Sequence, residues 1–343
     1  MIACPCCGTT ATEVLTHPSS HQRCTSCGHR WRDANTKLED YYQSLHGRNA
    51  VPATDLARKL SDRLDSVRPF VQEGRRILEI GCAEGELGVE IKKLARVHYV
   101  GVELSGDAER AEMVLDRVVR TSATSLDDEP FDLLLAFHVL EHIPDATSEV
   151  VAWRRLLTSG GIVVVEVPNE AGYPLLTWDA NPEHIHQFNC VSLAALMQRC
   201  GFEVRILTTG HFESPVYSDS IRLIARPVLS PKAKYTMMLE RLKTLFPEAF
   251  AVYGIGGDFQ NYVAPFLGDL GVTALLDANP DRHGLRIGAL TVGPFDAAQH
   301  GRQPILISSY RYETEIRSQL IADGVSPNLL FGLIQLYGAP HDV

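Results

Sequence analysis

The sequence predicts an α/β protein with two sheet-containing domains that follow a small cysteine-rich module. From Arg76, and again from Phe250, short apolar runs alternate with amphipathic stretches, which is typical of parallel strands joined by helices. Two pairs of cysteines near the N-terminus predict the module. The length of 343 residues agrees with this organisation at about 150 residues per domain. The predicted domains are residues 1–35, 36–228 and 229–343.

The N-terminal module carries the spacing of a zinc site. Cys4 and Cys7 form one C-x2-C pair, Cys24 and Cys27 form another, and sixteen residues separate the pairs. Four thiolates complete a tetrahedral zinc site without an open position, so the predicted zinc is structural. A segment of about 35 residues buries too little apolar surface to fold alone, and such a metal supplies the missing stability.

Composition excludes several classes of function. The chain has 32 lysines and arginines against 42 aspartates and glutamates, a net charge of −10, which argues against binding nucleic acid through its phosphates. No apolar run reaches the roughly 18 residues of a membrane span. The N-terminus lacks the pattern of a signal peptide, so the expected location is cytoplasmic. The expected partner is a small molecule, and the chain is expected to be a monomer or a homodimer.

The elements of the first sheet domain follow from the apolar periodicity. Residues 36–75 are predicted to be helical. The predicted strands are Ile77–Ile80, His98–Glu103, Phe131–Phe137, Ile162–Val167, Phe202–Leu207 and Ser220–Ala225. Helices are predicted near 86–95, 107–117, 146–157 and 191–200. A glycine turn is expected before the strand that begins at Ile162.

The second sheet domain follows a helix predicted within 227–249. Its predicted strands are Phe250–Tyr253, Val272–Asp277 and Ile305–Ser308, with helices near 258–269 and 312–323. Its first strand leads into Gly254-Ile-Gly256-Gly257. Because Phe259 stands where a dinucleotide fingerprint needs its third glycine, this turn is interpreted as tight packing of strand on helix.

The first strand also ends in a glycine-rich turn. Glu79, Gly81, Ala83 and Gly85 recur at alternate positions between that strand and the next predicted helix. Glycines there let the backbone approach a ligand at the start of a helix. A dinucleotide fold would need glycine at the position of Glu86, whose charge would repel a pyrophosphate. The turn therefore predicts a nucleotide-like ligand without a phosphate at that place.

This turn resembles the first motif of class I S-adenosylmethionine (SAM) methyltransferases. Glu103, about 20 residues on, ends the second strand where a carboxylate can accept both ribose hydroxyls. Segments 131–142 and 156–168 resemble the fourth- and fifth-strand motifs of the same superfamily. Ser122 stands where the family usually has an aspartate near the adenine amine. The resemblance implies that SAM is bound by Glu79, Gly81, Cys82, Ala83, Gly85, Glu103, Leu104, Ser122, Ala123, Phe137 and His138.

Four histidines follow the fourth and fifth strands. His138 and His142 come after the fourth strand, and His184 and His186 lie in the loop after the fifth. Carboxyl ends of parallel strands meet at one edge of a sheet, where ligands bind. Histidine suits the removal of a proton from a methyl acceptor at neutral pH. An alternative is that the four imidazoles together hold a catalytic divalent metal.

The chain as a whole resembles the sugar C-methyltransferases of deoxysugar pathways, which combine a zinc module, a SAM domain and a C-terminal Rossmann-like domain. Glu183-His184 and Phe188 match their catalytic region, and His142 matches their histidine after the fourth strand. The resemblance implies that His184 is the general base and that Glu183 and His142 hold it or the substrate. Asn181 stands where family members often have tyrosine.

The predicted function is methyl transfer from SAM to a sugar or a nucleotide-linked sugar, in natural-product or surface-polysaccharide biosynthesis. Three alternatives remain open: O- or N-methylation of another natural product, methylation of RNA that is bound by the zinc module, and a non-catalytic scaffold protein. Residues 1–35 contain three arginines against two acidic residues, which is little charge for binding RNA. A scaffold has no need of clustered histidines beside a SAM motif.

Overall fold

The computed structural model divides the chain into two compact units, with the boundary between Val228 and Leu229. The first unit contains a four-stranded and a seven-stranded sheet, and the second contains a six-stranded sheet. The residues that the structure describes are 3–15, 21–32, 52–172, 181 and 183–337. Much of the helical stretch predicted over 36–75 falls on residues 36–51, which lie outside the described residues.

Regular elements of the first unit alternate as the sequence predicts, which confirms the α/β class. Its strands are β1 (Thr12–Leu15), β2 (His21–Cys24), β3 (Arg30–Trp31), β4 (Arg76–Ile80), β5 (His98–Val102), β6 (Arg117–Val119), β7 (Phe131–Phe137), β8 (Leu157–Pro168), β9 (His186–Gln187), β10 (Phe202–His211) and β11 (Ser220–Pro227). Its helices are α1 (Ala53–Val67), α2 (Glu86–Lys92), α3 (Ala108–Ala111), α4 (Ala146–Leu156) and α5 (Cys190–Arg199).

The seven-stranded sheet has the order β10-β11-β8-β7-β4-β5-β6. Strands β4 to β8 pair in parallel, whereas β11 is antiparallel to both of its neighbours. Helices cover both faces of a parallel sheet, which is why the strands are apolar throughout rather than alternating. The parallel part runs in the doubly wound order 3-2-1-4-5, so the carboxyl ends of β4, β5, β7 and β8 meet at one edge.

The prediction of a helix over 107–117 is wrong for most of these residues. Only Ala108–Ala111 is α-helical, and Arg117–Val119 instead forms a strand beside β5. The carboxylate of Asp116 accepts the backbone N–H of Tyr99 at 2.7 Å, which fixes the chain at the entrance to this strand. A contact with the preceding strand therefore overrides the local helical pattern.

The fifth strand of the sheet begins earlier than predicted. It spans Leu157–Pro168 and includes Gly160 and Gly161, which were expected to form a turn before it. A Cβ atom on Gly161 would lie 3.1 Å from the main-chain oxygen of Phe131 on the neighbouring strand. The glycines therefore permit a close approach of two strands at an irregular point of their register.

The cysteine module forms a sheet with one strand from the larger domain of the first unit. Its order is β1-β2-β3-β9, and every pairing is antiparallel. The described residues of the module share a core with the larger domain, because Cys4, Cys24 and Trp31 are buried in one apolar cluster with Val150 of α4 and Met197 of α5. A module this small thus obtains its buried surface from the larger domain.

The second unit begins with α6 (Pro231–Leu245) and contains a doubly wound sheet of the order β14-β15-β13-β12-β16-β17. Its strands are β12 (Phe250–Tyr253), β13 (Val272–Leu276), β14 (Arg286–Ile287), β15 (Leu290–Gly293), β16 (Ile305–Ile307) and β17 (Leu330–Gly332). Its other helices are α7 (Gly257–Tyr262), α8 (Ala297–His300), α9 (Glu313–Ala322) and α10 (Leu333–Tyr337). The strands β14, β15 and β17 were not predicted, because each contains an arginine, a threonine or a glycine, whereas the equally short β12 and β16 are hydrophobic throughout.

The glycine turn of the second unit is not tightly packed, contrary to its interpretation from the sequence. A Cβ atom on Gly254 would come no closer than 3.8 Å to another atom, and one on Gly257 would meet nothing within 4 Å. The turn instead lines a cavity together with Asp277 and Arg282.

Asp277, at the end of the second strand of this sheet, accepts the backbone N–H groups of Ile255 and Asn279 at 2.7 and 2.8 Å. It also accepts a hydrogen bond from Arg282 at 2.8 Å. Asp277 thus fixes the glycine turn and the loop after the second strand through bonds to both of its oxygens.

Within the described residues, none of the helices has the length and apolar character needed to cross a membrane.

Candidate functional site

The turn after β4 has a backbone that requires glycine. Gly81 has φ +72° and Gly85 has φ +85°, in the left-handed region. A Cβ atom on Gly81 would also lie 2.4 Å from Cγ2 of Val139. Between them, Ala83 adopts φ +47°, a conformation that costs a non-glycine residue about 1 kcal/mol or more. Strained backbone positions cluster at ligand-binding sites, so Ala83 indicates that this turn is part of a functional site.

Glu103 joins this turn to the end of β5. Its Oε2 accepts the N–H of Ala83 at 2.9 Å, and its Oε1 accepts the N–H of Ser105 at 2.8 Å. The side chain remains partly exposed, as does the neighbouring Leu104. Each carboxylate oxygen has a second lone pair, so Glu103 can still accept hydrogen bonds from a ligand.

Two further residues of the predicted SAM site point into the protein. Glu79 is buried and accepts a hydrogen bond from the hydroxyl of Tyr99 at 2.7 Å. Burial raises the pKa of Glu79 to about 7, although the bond from Tyr99 opposes the shift. Cys82 is also buried, and burial raises the pKa of its thiol. The structure thus places both side chains beneath the turn, where they support it.

The remaining predicted SAM residues follow β6 and end β7. Ser122 is partly exposed, and its hydroxyl lies 2.7 Å from that of Thr124. Ala123 is fully buried. Phe137 is buried beneath the guanidinium of Arg63, which lies 4.6 Å from the ring centre. The predicted SAM residues therefore lie at the ends of four neighbouring strands, along one edge of the sheet.

His138 follows β7 in a constrained position between two carboxylates. Its backbone has φ +54°. Its Nδ1 lies 3.3 Å from Glu141, and its Nε2 lies 3.3 Å from Glu166 and 3.0 Å from the hydroxyl of Ser220. Burial alone would lower the pKa of His138, but the two carboxylates outweigh it and raise the pKa to about 9. His138 is therefore an imidazolium at neutral pH.

Glu166 connects His138 to a second buried cation. Nε of Arg222 donates to Glu166 at 2.7 Å, and both side chains are almost fully buried. Burial opposes ionisation of Glu166, yet the bond to His138 and the charges of His138 and Arg222 lower its pKa to about 2. The Arg222 guanidinium also donates to Asp62 of α1 at 2.7 Å. These pairs fix α1, β8 and β11 against the turn that carries His138.

His142 and His184 meet in an interior cluster. Their rings pack edge to face with centres 4.7 Å apart, and His184 is 3% exposed. Nδ1 of His142 donates to the main-chain oxygen of Glu183 at 3.2 Å. Nε2 of His142 lies 3.8 Å from Glu141, and one ligand atom from each of Glu141, His142 and His184 lies within 4.8 Å of the others. Burial lowers the pKa of His142, which keeps this imidazole neutral.

His186 does not join this cluster. Its Nε2 donates to the main-chain oxygen of Ile143 at 3.0 Å, and its Nδ1 lies 3.1 Å from Nε2 of His29 in the cysteine module. The alternative in which His186 shares a metal with His138, His142 and His184 is therefore wrong. The local pattern could not separate His186 from His184, because the two are only two residues apart.

Tyr217 was not anticipated from the sequence. It lies between β10 and β11, and its ring centre is 5.4 Å from that of His184 and 6.0 Å from that of His138. No motif surrounds it, so only its place after β10 could have indicated it. Glu141 and Glu166 were also unassigned, although both belong to the strand motifs that the sequence revealed.

The four predicted zinc ligands come together. Sγ of Cys4 lies 3.6 Å from that of Cys27, and Sγ of Cys7 lies 3.5 Å from that of Cys24. Four sulfurs at 2.3 Å from a central zinc would be about 3.8 Å apart in a tetrahedron. All four lie within 4.8 Å of one another, so this donor set fits the ion. Cys6 is buried outside the quartet, and burial raises the pKa of its thiol.

Residues 53–206 match a family described as a methyltransferase domain. The ubiquinone biosynthesis O-methyltransferase of Roseobacter denitrificans is 27% identical over 168 residues, which cover 46% of this chain and 66% of that protein. A protein of Mycolicibacterium smegmatis that is named as an S-adenosylmethionine-dependent methyltransferase is 31% identical over 136 residues, which cover 38% and 53%. The chain thus spans between about half and two thirds of the length of these relatives.

Among solved structures, the magnesium protoporphyrin IX methyltransferase of Synechocystis PCC 6803 with bound SAM is similar at 15% identity and a TM-score of 0.43. The match covers 55% of this chain and 95% of that one. The family match and the sequence relatives coincide with the sheet whose edge carries the glycine turn and Glu103. The chain therefore contains a SAM-dependent methyltransferase domain.

Proposed function

We propose that this protein transfers a methyl group from SAM to a small-molecule acceptor, with His184 as the general base. One observation carries the proposal. The glycine turn packs at Gly81 against Val139, and the same short segment continues to His142, which contacts His184. The predicted donor-binding turn and the buried histidine pair are thus connected through five consecutive residues, 138–142.

Exposed groups at the sheet edge suit the donor. Glu103 would accept the ribose hydroxyls, since its oxygens retain lone pairs, and the partly exposed Leu104 would flank the adenine. Ser122 would accept a hydrogen bond from the adenine amine. SAM, when bound, supplies an electrophilic methyl group on a cationic sulfur. The protein's task is then to orient the acceptor and to take its proton.

The surroundings of the three histidines His138, His142 and His184 differ, and so does the ability of each to take a proton from the acceptor. His138 already carries a proton between Glu141 and Glu166, so it is a poor base. His142 is neutral, and its bond to the main-chain oxygen of Glu183 leaves Nε2 with the lone pair. We assign His184 as the proton acceptor, and Glu141 would stabilise the imidazolium that forms.

The acceptor that we propose is a sugar or a nucleotide-linked sugar. The combination of a cysteine module, Glu183-His184 and a second doubly wound domain supports it, because the sugar C-methyltransferases share these features. We assign residues 229–343 to the acceptor side. A second candidate is O-methylation of a phenolic ring, which is favoured by the relatives that are named ubiquinone biosynthesis O-methyltransferases.

Binding of SAM tests the first part of the proposal. Isothermal titration calorimetry of the folded protein with SAM should give about one site per chain. Absence of heat at millimolar SAM would refute the proposal. The acceptor is then identified by release of S-adenosylhomocysteine in the presence of a thymidine-diphosphate-linked 4-keto sugar or of a catechol. Turnover with the sugar alone supports the first candidate, and turnover with the catechol alone supports the second.

His184→Ala tests the base. Loss of a general base costs about 10²- to 10⁴-fold in turnover, whereas affinity for SAM should stay at the wild-type value. His98→Ala is the matched control, because His98 is an exposed histidine at the start of β5. Full turnover in His184→Ala would leave orientation of the acceptor as the main contribution of the protein.

A further inference from the structure

The strand that follows His184 belongs to the sheet of the cysteine module. His186–Gln187 forms β9, which pairs antiparallel with Arg30–Trp31 of the module. The partners are Trp31 with His186 and Arg30 with Gln187. The loop that carries the proposed base is therefore held by main-chain pairing with residues 30–31, which begin three positions after Cys27.

Hydrogen bonds extend this pairing on both sides of the strand. The backbone N–H of Arg32 donates to the oxygen of Ile185 at 3.1 Å, and its guanidinium donates to the oxygen of Asn181 at 3.0 Å. At the other end, the Asn189 amide donates to the oxygen of Cys27 at 3.1 Å. These contacts at 181, 185 and 189 lie before and after His184 and set its register.

A buried pair of histidines adds a directional contact between the module and the loop. Nε2 of His186 faces the carbonyl oxygens of Ile143 at 3.0 Å and Pro144 at 3.4 Å and must donate, so Nδ1 accepts from Nε2 of His29 at 3.1 Å. Both imidazoles are buried. The rings of Trp31 and Phe188 pack against His29. The pair is thus a buried hydrogen bond between the module and the loop, which favours a single arrangement of the two rings.

The opposite side of the module is fixed to the helices of the methyltransferase domain. Thr147 of α4 donates to the main-chain oxygen of Pro5 at 2.9 Å, and Arg199 of α5 donates to that of Cys6 at 3.0 Å. The first cysteine pair is therefore seated on α4 and α5, while the second leads into the strand that holds the loop. Linked by a metal, the two pairs would form one rigid piece.

We propose that the cysteine module is a clamp for the catalytic loop, in which β3, His29 and the backbone of Arg32 position His184 against His142. This rests on the proposed role of His184 in methyl transfer. The donor site belongs to other strands, because Gly81 and Glu103 lie at the ends of β4 and β5. Loosening the clamp should therefore impair the acceptor step and leave the affinity for SAM unchanged.

A matched pair of variants at Arg32 isolates the main-chain contact. Arg32→Pro removes the N–H that bonds to Ile185, and Arg32→Ala keeps it, while both remove the guanidinium. Residue 32 follows the end of β3, where proline is tolerated. Hydrogen exchange is followed by mass spectrometry in peptides over 183–190 and, as an internal reference, over 76–103.

The expected result is exchange over 183–190 that is about tenfold faster in Arg32→Pro than in Arg32→Ala, with unchanged exchange over 76–103. Zinc content and the dissociation constant for SAM should be the same in both variants. With an acceptor available, kcat should fall about 10²-fold in Arg32→Pro while KM for SAM stays constant.

Equal exchange over 183–190 in two folded, zinc-loaded variants would overturn the proposal. Equal acceleration of both peptides would also overturn it, because the module would then support the whole domain rather than the loop. If Arg32→Pro does not fold, His29→Leu is measured against wild type by the same criteria. Failure of the wild-type protein to bind SAM would instead refute the proposed function and leave the exchange result interpretable.

Discussion

Replacing His138 with asparagine should make the stability of the protein less dependent on pH between about 6.5 and 9. Asparagine tolerates the left-handed backbone of this position, where φ is +54°, so the substitution removes the imidazole with little added strain. What is lost is a cation that lies 3.3 Å from Glu141 and from Glu166.

The size of the effect follows from the pKa of His138, which the protein raises from 6.5 to about 9. The folded state thus binds this proton more tightly than the unfolded state. The resulting stabilisation is fully present below pH 6.5 and is lost as the pH rises through about 9. At 1.36 kcal/mol for each tenfold change in proton affinity, the wild-type protein should lose about 3 kcal/mol over this interval through His138.

Urea unfolding followed by tryptophan fluorescence measures this loss, because Trp153 is fully buried in the same domain. The difference in unfolding free energy between wild type and His138→Asn should shrink by about 3 kcal/mol from pH 6 to pH 9.5. Glu79, with a pKa of about 7, titrates in both proteins and cancels in the difference. His98→Asn, at an exposed histidine, should show no such change. A difference that is constant across the interval would mean that His138 is not the charged partner of the two glutamates.

Three further substitutions test the site and the module. Glu103→Ala should weaken SAM binding more than about tenfold by calorimetry, since charge-assisted hydrogen bonds contribute roughly 1.5–3 kcal/mol each; an unchanged dissociation constant would exclude Glu103 as the ribose ligand. Cys24→Ser should reduce zinc from about one ion per chain to none in metal analysis. Zinc that persists in this variant would point to ligands outside the cysteine quartet. Gly81→Ala should destabilise the protein by about 2 kcal/mol or more in urea unfolding, because its Cβ would meet Val139 at 2.4 Å. Wild-type stability would show that the turn can relax.

The sheet could be predicted because its strands are buried on both faces. Phe131–Phe137 is a run of apolar residues with one aspartate, and the structure gives it the predicted bounds. The segment 107–117 could not be predicted, since its end is fixed by the bond from Tyr99 to Asp116. A fully buried strand can be recognised from its local run of apolar residues, whereas a contact between two elements cannot be recognised from either segment alone.

The same distinction applies to the site. The turn over 81–85 and Glu103 were predictable, because their spacing is set by one strand, one helix and the next strand. The hydrogen bond between His29 and His186 joins residues 157 positions apart, so no local sequence pattern could predict it. Tyr217 likewise reaches His184 only through the return of β11 to the sheet.

The histidines next to the glycine turn show why residue type alone could not assign their roles. His138 faces two carboxylates at 3.3 Å, which keep its proton in place, whereas His142 faces one at 3.8 Å and a carbonyl oxygen at 3.2 Å. Environments that separate the pKa values of like groups are how one site holds both a fixed charge and a base. Glu141 lies between the two histidines and is fully buried, with its Oε1 at 3.3 Å from Nδ1 of His138 and 3.8 Å from Nε2 of His142. Because Glu141 also faces His142, a proton arriving on the His142–His184 pair would meet an anion already in place, although His138 shares its charge.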